Sequence, residues 1–250
     1  MFRTLKEKVK HHLNRQLLLA ARDIDSARQF RAAQQSAEFV DQHMTMAKSY
    51  PDKFALLKAA IEQIDVQGLC CEFGVYRGET LNFIASLVPG EVHGFDSFEG
   101  LPEDWRQGHE KGTFAVGALP RVRPNVRLYR GWFEDTIPPF REQHPGTVAF
   151  LHLDADLYSS TRTVLELLGD GIVPGTVIAF DEFFNYPGWC DGEYKAFMEF
   201  CQERAVDVRY LGFVRRDEQA AAKITGIAPL SQRAIAEELD ARQPMTLGSR

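Results

Sequence analysis

The sequence predicts an α/β fold: a doubly wound, Rossmann-like sheet of seven strands, mostly parallel with a terminal antiparallel hairpin, preceded by an N-terminal helical extension. Three observations favour this fold. Strand and helix patterns alternate from residue 68 to about residue 199, as right-handed βαβ crossovers require. A glycine-punctuated turn follows the first strand pattern and leads into a helical pattern. The last two strand patterns are separated only by residues 214–219, which are too few for a crossover helix, so this pair must be antiparallel.

Length and composition are those of one domain with appendages. The chain has 250 residues, of which 44% are hydrophobic, and this is enough for one substantial core. We expect a helical extension over residues 1–66, a sheet domain over residues 67–226, and a helical or flexible tail over residues 227–250.

Charge and cysteine content argue against several classes of partner. The net charge of −6 gives no general electrostatic reason to bind nucleic acid. The cysteines show no C-x-x-C spacing, and the adjacent Cys70 and Cys71 should point to opposite faces of a buried strand as reduced core residues. No apolar stretch reaches the roughly 18 residues that span a bilayer, and no signal-peptide pattern is recognised. We therefore expect a cytoplasmic protein with neither a nucleic-acid nor a membrane partner.

The N-terminal extension has a helical pattern from residue 2 to about residue 50. Its apolar residues recur every four positions over a segment that is rich in Lys and Arg. A basic amphipathic helix can lie on a membrane surface, but we favour packing on its own domain or on a second subunit, which leaves a homodimer open. A second helix is predicted from Pro51 to about Ile64, just before the first strand.

The sheet domain contains seven strand patterns. They cover residues 68–73, 91–95, 126–130, 148–154, 176–181, 206–213 and 220–225. Between the second and third strands, residues 101–124 combine glycines, prolines and charges with weak periodicity. This composition indicates a long loop with a short helix, of the kind that often forms a lid.

The turn after the first predicted strand has features of a cofactor site. Ligands of open α/β sheets bind beyond the carboxyl ends of the strands, and Gly74 and Gly78 would let the backbone turn tightly and approach a ligand. The segment lacks the G-x-G-x-x-G pattern of dinucleotide-binding proteins. Glu72, at the mouth of this strand, suits a cationic ligand better than a pyrophosphate.

Asp96 ends the second predicted strand. A carboxylate in this position can accept hydrogen bonds from both hydroxyls of a ribose, so we assign Asp96 to ribose binding. An aspartate here could also cap a following helix, and the two roles do not exclude each other.

Three further acids follow the next strands. Asp154 ends the fourth strand, and Asp181 with Glu182 ends the fifth. Neighbouring strands lie about 5 Å apart, so these carboxylates can converge, and a hard cation such as magnesium would relieve their repulsion. The alternative is that one acid contacts the cofactor while the others cap helices or form ion pairs. His152, on the same strand face as Asp154, is expected to be a satisfied core histidine and not a ligand.

Five segments carry a resemblance to a known family. They are EFGVYRGET (residues 72–80), FDSFEGLPE (95–103), GWFEDTIP (131–138), LHLDADLYSST (151–161) and PGTVIAFDEF (174–183). In this order they resemble class I S-adenosylmethionine-dependent methyltransferases, and within that class the macrocin O-methyltransferase family, whose members methylate sugar hydroxyls of natural products. A seven-stranded sheet with a terminal antiparallel hairpin is also what this class implies.

The resemblance implies a set of cofactor-binding residues. They are Glu72, Gly74, Tyr76, Gly78, Thr80, Asp96, Ser97, Trp132, Phe133 and Asp154. Of these, Glu72, Gly74 and Tyr76 would wrap the amino-acid end of S-adenosylmethionine. Asp96 and Ser97 would hold its ribose.

Two further assignments follow from the resemblance. Trp132 and Phe133 fall where the family places its adenine-side loop, so an aromatic ring could stack on the base, or both could simply pack in the core. Asp154, Asp181 and Glu182 would be the metal ligands, with Asp154 also the catalytic residue. The sequence departs from the family here, because the family typically has two aspartates where this chain has Asp-Glu.

The activity implied is methyl transfer to a hydroxyl of a small molecule of the sugar or natural-product type, assisted by magnesium. Alternatives are a metal-independent methyltransferase on another acceptor, a noncatalytic protein that binds S-adenosylmethionine, and a dehydrogenase, which the missing glycine pattern disfavours. The acceptor would be set by loops 101–124 and 184–193, whose chemistry a single sequence does not reveal. The candidate bases lie in or near such loops: His109, Asp156, Asn185 and Glu193. Aromatic residues near the second loop indicate a partly apolar acceptor, a lid or plain packing: Phe183, Phe184, Tyr186 and Trp189.

Overall fold

The described part of the chain is built around one eight-stranded sheet. A computed structural model describes Glu7, residues 9–13, Arg15 and residues 22–227. The strands are β1 (Lys48–Tyr50), β2 (Leu69–Phe73), β3 (Val92–Asp96), β4 (Val126–Arg130), β5 (Val148–Leu153), β6 (Ile172–Phe180), β7 (Val206–Val214) and β8 (Ala220–Ile227). The helices are α1 (Ile24–His43), α2 (Lys53–Ile61), α3 (Glu79–Leu87), α4 (Phe133–Gln143), α5 (Tyr158–Leu168) and α6 (Glu193–Glu203).

The strand order is β1-β7-β8-β6-β5-β2-β3-β4. Strand β8 pairs antiparallel with both β6 and β7, and the other neighbouring pairs are parallel. The α/β fold and its terminal hairpin are therefore as predicted. The chain progresses outward from β2 to β4 on one side and from β5 to β6 on the other, so the order reverses between β2 and β5. A reversal of this kind opens a ligand crevice at the carboxyl ends of the strands.

The two faces of the sheet carry separate apolar clusters. Cys70 packs with Leu56 of α2 and Ile84 of α3 on one face. Cys71 packs on the other face, with Phe140 of α4 and side chains of α1, α5 and α6. Adjacent residues of a strand point to opposite faces, so this split is the one expected for a strand that is covered on both sides. Both thiols are free and buried, as predicted.

Three expectations for secondary structure need correction or fall outside the described residues. The eighth strand, β1, lies in a segment predicted to be helical, and its three residues pair in parallel with Gly212, Phe213 and Val214. A three-residue strand is too short to show an alternating pattern in sequence. Loop 101–124 contains no helix among its described residues. Residues 228–250, predicted to form a tail, lie outside the described residues.

Loop 101–124 is ordered by hydrogen bonds of its own. The backbone N–H of Leu101 donates to Thr113 O over 2.9 Å, and that of Gly112 donates to Leu101 O over 2.9 Å. The Asp104 carboxylate accepts from the backbone N–H of Lys111 at 2.8 Å. The polar residues and glycines that gave the weak periodicity thus form turns instead of a helix. In the ranges that can be described, no helix is long and apolar enough to cross a bilayer.

Candidate active site

A cavity of about 640 Å³ opens at the carboxyl ends of β2, β3, β5 and β6. This is the crevice that the reversal of strand order predicts, and its volume is in the range of sites for small ligands and cofactors. Many residues assigned from sequence line it: Gly74, Tyr76, Thr80, Asp96, Ser97, Trp132, Phe133, Asp154, Asp181 and Glu182. These ten residues are among the 26 that line the cavity.

Gly74 allows the strand ends to approach each other closely. Its φ is +91°, and a Cβ at this position would meet the carbonyl oxygen of Asp154. The backbone N–H of Gly74 donates to Phe95 O, and that of Asp154 donates to Phe73 O, each over 2.9 Å. A residue with a side chain would push these bonds apart, so glycine is required here for both space and backbone conformation. Gly78, with a φ of +75°, precedes the first residue of α3 and is not among the residues that line the cavity.

Asp96 fixes the turn after β2 to the end of β3. Its Oδ2 accepts from the backbone N–H groups of Val75 at 2.8 Å and Tyr76 at 2.7 Å. Its Oδ1 accepts from the backbone N–H of Phe98 at 2.6 Å. No helix follows β3 in the described residues before β4, so Asp96 caps a turn and not a helix. Ser97 accepts from the Glu99 backbone N–H at 3.1 Å and continues this turn.

Glu72 is not at the mouth of the cavity, contrary to the expectation from sequence. Its side chain is fully buried and lies 2.8 Å from Nδ1 of His152. The two residues are register partners on β2 and β5, so their side chains share one face of the sheet. Strand geometry therefore directs Glu72 to its neighbour and not to the crevice. His152 is buried and bonded, as predicted for a core histidine.

The acids at the ends of β5 and β6 converge with that histidine. Ligand atoms of His152, Asp154 and Asp181 lie within 4.8 Å of one another. His152 Nε2 is 3.8 Å from Asp181 Oδ1, an oxygen that is buried without a hydrogen-bond partner. His152 is within geometric reach of an ion at these acids, but it could be a ligand only after losing its proton, so the expectation that it is not a ligand stays a prediction. Its bond to Glu72 fixes the ring orientation, as carboxylates commonly do behind metal-binding histidines.

The electrostatics of this group follow from burial and close contact. Burial raises the pKa of Asp154 well above its usual value, and the Asp181 charge adds to this effect. Burial alone would raise the pKa of Asp181, but the nearby charges of His152 and Lys53 lower it overall. Burial opposes protonation of His152, yet Asp181 and Glu72 raise its pKa to about 10. His152 is therefore charged in the folded protein near neutral pH.

Glu182 lies outside this group, in contrast to the three-carboxylate site predicted from sequence. Its side chain is buried and its Oε2 has no hydrogen-bond partner, while its backbone N–H donates to Glu193 Oε2 at 3.2 Å. Glu193 also accepts from the Thr161 hydroxyl at 3.2 Å and from the Ala155 backbone N–H at 3.4 Å. Glu193 is fully buried and does not line the cavity, so this candidate base acts in positioning the strand ends.

Lys53 is a charged residue of the cavity wall that the sequence analysis did not assign to the site. Asp52 caps α2 by accepting from the Ala55 backbone N–H at 2.9 Å, and this places Lys53 in the first turn of the helix. The Lys53 ammonium lines the cavity and lies 3.5 Å from Asp181 Oδ2. A lone lysine that is 128 residues away from its partner carries no motif, so only the fold brings the two together.

The aromatic pair at the start of α4 lies in the cavity wall, and Phe133 also packs in the core. Trp132 and Phe133 line the cavity, and the Phe133 ring meets the Phe73 ring edge-on at 5.4 Å. The preceding Gly131 donates its backbone N–H to Asp96 O at 3.0 Å. The aromatic wall is therefore tied to the same strand end that carries Asp96.

A second cavity, of about 350 Å³, adjoins the first and shares Glu103, Asp156 and Ser159 with it. Its other wall includes Trp105 and Tyr186, which come from the two loops expected to contact the acceptor. Asp156 has a φ of +60°, and burial together with the Asp181 charge raises its pKa to about 7. Of the candidate bases, Asp156 is the one that faces both cavities.

Arg106, in loop 101–124, contacts both loop 184–193 and the turn between β7 and β8. Its guanidinium stacks over Trp105 at 3.9 Å and reaches the Tyr186 ring at 5.2 Å. It also donates to both oxygens of Glu218, at 3.0 and 2.9 Å, in the turn between β7 and β8. The charge of Arg106 is thus balanced within the wall, and the other charged residues of the second cavity are acidic: Glu103, Asp156 and Asp191.

Comparisons with known proteins agree with this geometry. Residues 71–183 match the model of a family described as a methyltransferase domain. The chain is 33% identical over 146 residues to an 8-demethyl-8-(2,3-dimethoxy-alpha-L-rhamnosyl)-tetracenomycin-C 4'-O-methyltransferase from Streptomyces olivaceus, covering 47% of this chain and 54% of the relative. It is 27% identical over 166 residues to a demethyldecarbamoylnovobiocin O-methyltransferase from Streptomyces niveus, covering 56% and 62%. The chain thus spans less than two thirds of the length of either curated relative.

Solved structures show the same likeness over about two thirds of the chain. The calicheamicin methyltransferase CalS11 is 27% identical with a TM-score of 0.56, covering 68% of this chain and 77% of that one. The O-methyltransferase NovP superposes with a TM-score of 0.56 at 22% identity, covering 69% and 79%, and shows the shared fold. Residues 71–183 therefore resemble a methyltransferase domain, and the two curated relatives that share sequence with this chain are O-methyltransferases.

Proposed function

We propose that this protein transfers a methyl group from S-adenosylmethionine to a hydroxyl of a sugar or a sugar-bearing natural product. The observation that carries this proposal is the pair of adjoining cavities at the reversal of strand order. The first is lined mainly by the segments that resemble methyltransferases, and the second by loops 101–124 and 184–193 together with residues 156–159. The relatives with similar sequences are O-methyltransferases whose names include a rhamnosyl substrate and novobiocin.

The larger cavity would take the cofactor. Asp96 Oδ1 accepts one backbone hydrogen bond, so it keeps capacity to accept a ribose hydroxyl, with Ser97 beside it. Gly74 and Tyr76 would contact the amino-acid end, and Thr80 lies behind them in the wall. Trp132 offers a face for the adenine ring.

The acidic side of this cavity suits the charge of the cofactor. S-adenosylmethionine carries a sulfonium and an ammonium, and Asp154, Asp181 and Glu182 line the wall. These carboxylates would stabilise cationic groups more than they would a pyrophosphate, which argues against a dinucleotide. Glu72 would contribute through His152 and not by direct contact.

The same acids are suited to a magnesium ion. Asp154 and Asp181 would be its ligands, and the buried, unpartnered Oδ1 of Asp181 is the kind of atom that a cation satisfies. A bound ion would supply Lewis-acid polarisation of the acceptor hydroxyl and lower its pKa. Glu182, outside the group, would need a side-chain rearrangement to contribute.

The residues of the chain would contribute mainly positioning. The acceptor oxygen attacks the methyl carbon in line with the departing sulfur, so the C–O bond forms as the C–S bond breaks and the sulfonium becomes a neutral thioether. The hydroxyl proton must leave to a base; Asp156 lines both cavities, and Asp154 lines the larger one. Asp154 is the residue we assign to catalysis.

The smaller cavity would take the acceptor. Trp105 and Tyr186 offer apolar ring surface, while Glu103 and Asp156 can accept hydrogen bonds from hydroxyls. This combination suits a ring that is apolar on one face and bears hydroxyls at its edge, as a deoxysugar does.

The test is methyl transfer to a panel of rhamnosylated aromatic compounds, followed by mass spectrometry of the products. We expect a gain of one methylene unit on the sugar of at least one compound, dependent on S-adenosylmethionine and lost in Asp154→Ala. Parallel reactions in chelator separate the magnesium-assisted reaction from a metal-independent one. A protein that binds S-adenosylhomocysteine but methylates no member of the panel would contradict the proposed acceptor class.

A further inference from the structure

A lysine from outside the methyltransferase segments reaches the acidic group of the cavity. Lys53 Nζ lies 3.5 Å from Asp181 Oδ2, and the side chains are 32% and 9% exposed, respectively. The position is unusual for a cation, because the first turn of a helix carries the positive end of the helix dipole. The helix dipole therefore disfavours a lysine at this position, whereas the carboxylates of Asp154 and Asp181 across the cavity favour one.

We infer that Lys53 is a built-in counter-ion of Asp154 and Asp181, and that a divalent cation can bind these acids only by displacing the Lys53 ammonium from Asp181. The inference rests on the magnesium site of the proposed function. It assigns to α2 a part in setting how tightly that ion is held.

Both oxygens of Asp181 already face a cation. Oδ2 faces the Lys53 ammonium at 3.5 Å, and Oδ1 faces His152 Nε2 at 3.8 Å. His152 is held from behind by Glu72 and is fully buried, so it has little freedom to move. Lys53 has a flexible stem and is partly exposed, so it is the cation that can swing away.

The charge of Lys53 is also required by the acids. The Lys53 ammonium lies 3.5 Å from Asp181 Oδ2, in the cavity wall that Asp154 and Glu182 also line. A cation at this distance repels any second cation brought to the same carboxylate. Without the Lys53 ammonium, His152 is the cationic neighbour of Asp181 among the described residues. Asp181 Oδ2 then becomes accessible to an incoming ion.

The test compares manganese binding to four proteins by calorimetry: the wild type, Lys53→Met, Lys53→Arg and Lys58→Met. Manganese serves as the probe because it takes oxygen ligands as magnesium does. Lys58 is an exposed residue of the same helix, so its variant removes an equal charge away from the cavity. Lys53→Arg keeps the charge at the site.

We expect Lys53→Met to bind manganese about tenfold or more tightly than the wild type, because a contact repulsion in a partly buried site is removed. Lys53→Arg and Lys58→Met should bind as the wild type does. Equal or weaker binding in Lys53→Met would overturn the inference, and so would a lack of manganese binding in all four proteins. S-adenosylhomocysteine binding, measured on the same samples, reports on folding and on the cofactor site. Its retention alongside a negative manganese result would refute this inference while leaving the methyltransferase proposal standing.

Discussion

Replacing Gly74 by alanine should destabilise the protein through two separable effects. The φ of +91° disfavours any L-residue by about 1–2 kcal/mol. The new Cβ would also meet the Asp154 carbonyl, and forcing such an overpacked contact apart typically costs about 1–3 kcal/mol. The sum is a loss of about 2–5 kcal/mol in the free energy of unfolding.

Two control variants separate these effects. Gly108 has a φ of +85° with nothing within 4 Å of a Cβ, so Gly108→Ala should lose only about 1–2 kcal/mol from backbone strain. Gly90 has open space around it and no positive φ, so Gly90→Ala should change stability by less than about 0.5 kcal/mol. Urea denaturation of the three variants measures this order. If Gly74→Ala were as stable as Gly90→Ala, this result would contradict the close contact between Gly74, after β2, and the Asp154 carbonyl, after β5.

Three further predictions concern the site. Asp96→Asn should weaken S-adenosylhomocysteine binding by about tenfold or more in calorimetry, because a carboxylate that accepts three backbone hydrogen bonds becomes a neutral amide. The pKa of His152 is raised from 6.5 to about 10, so in the folded state it keeps its proton at pH values where the unfolded chain has lost it. The protonated His152 therefore stabilises the folded protein fully below about pH 6.5, and this contribution is lost as the pH rises to about 10. His152→Gln should therefore show a flatter decline in the free energy of unfolding over this range, and an unchanged slope would contradict a charged His152. Trp105→Ala should raise the KM for the acceptor several-fold while leaving S-adenosylhomocysteine affinity within about twofold, since Trp105 lines only the second cavity. If acceptor binding and S-adenosylhomocysteine binding weakened equally, Trp105 would not be a residue of the acceptor site alone.

The sequence predicted the sheet because its central strands are long and apolar with glycine turns at their ends. Strand β1 escaped prediction since three residues show no period, and its partner Gly212 lies far along the chain. The prediction of a helix in loop 101–124 was wrong because turn hydrogen bonds within the loop, such as that from Gly112 to Leu101, replace helical ones.

The wall of the cavity could be predicted residue by residue where a strand end fixes the position, as for Asp96 and Asp154. The neighbour that a strand side chain faces depends on cross-strand register, which a sequence does not state. For this reason Glu72 was predicted to face the cavity, whereas in the structure it contacts His152. Lys53 was missed because its role depends on a contact between distant segments.

The measurement that tests the central claim most directly is calorimetric titration with S-adenosylhomocysteine, made with the wild type, Asp96→Ala and a surface control, Asp207→Ala. Asp207 lies exposed on β7, away from the residues that line either cavity. The account predicts micromolar or tighter binding by the wild type and the control, and strongly weakened binding by Asp96→Ala. A wild-type protein that binds no S-adenosylhomocysteine, with or without magnesium, would contradict the assignment of the larger cavity to this cofactor and the methyltransferase function built on it.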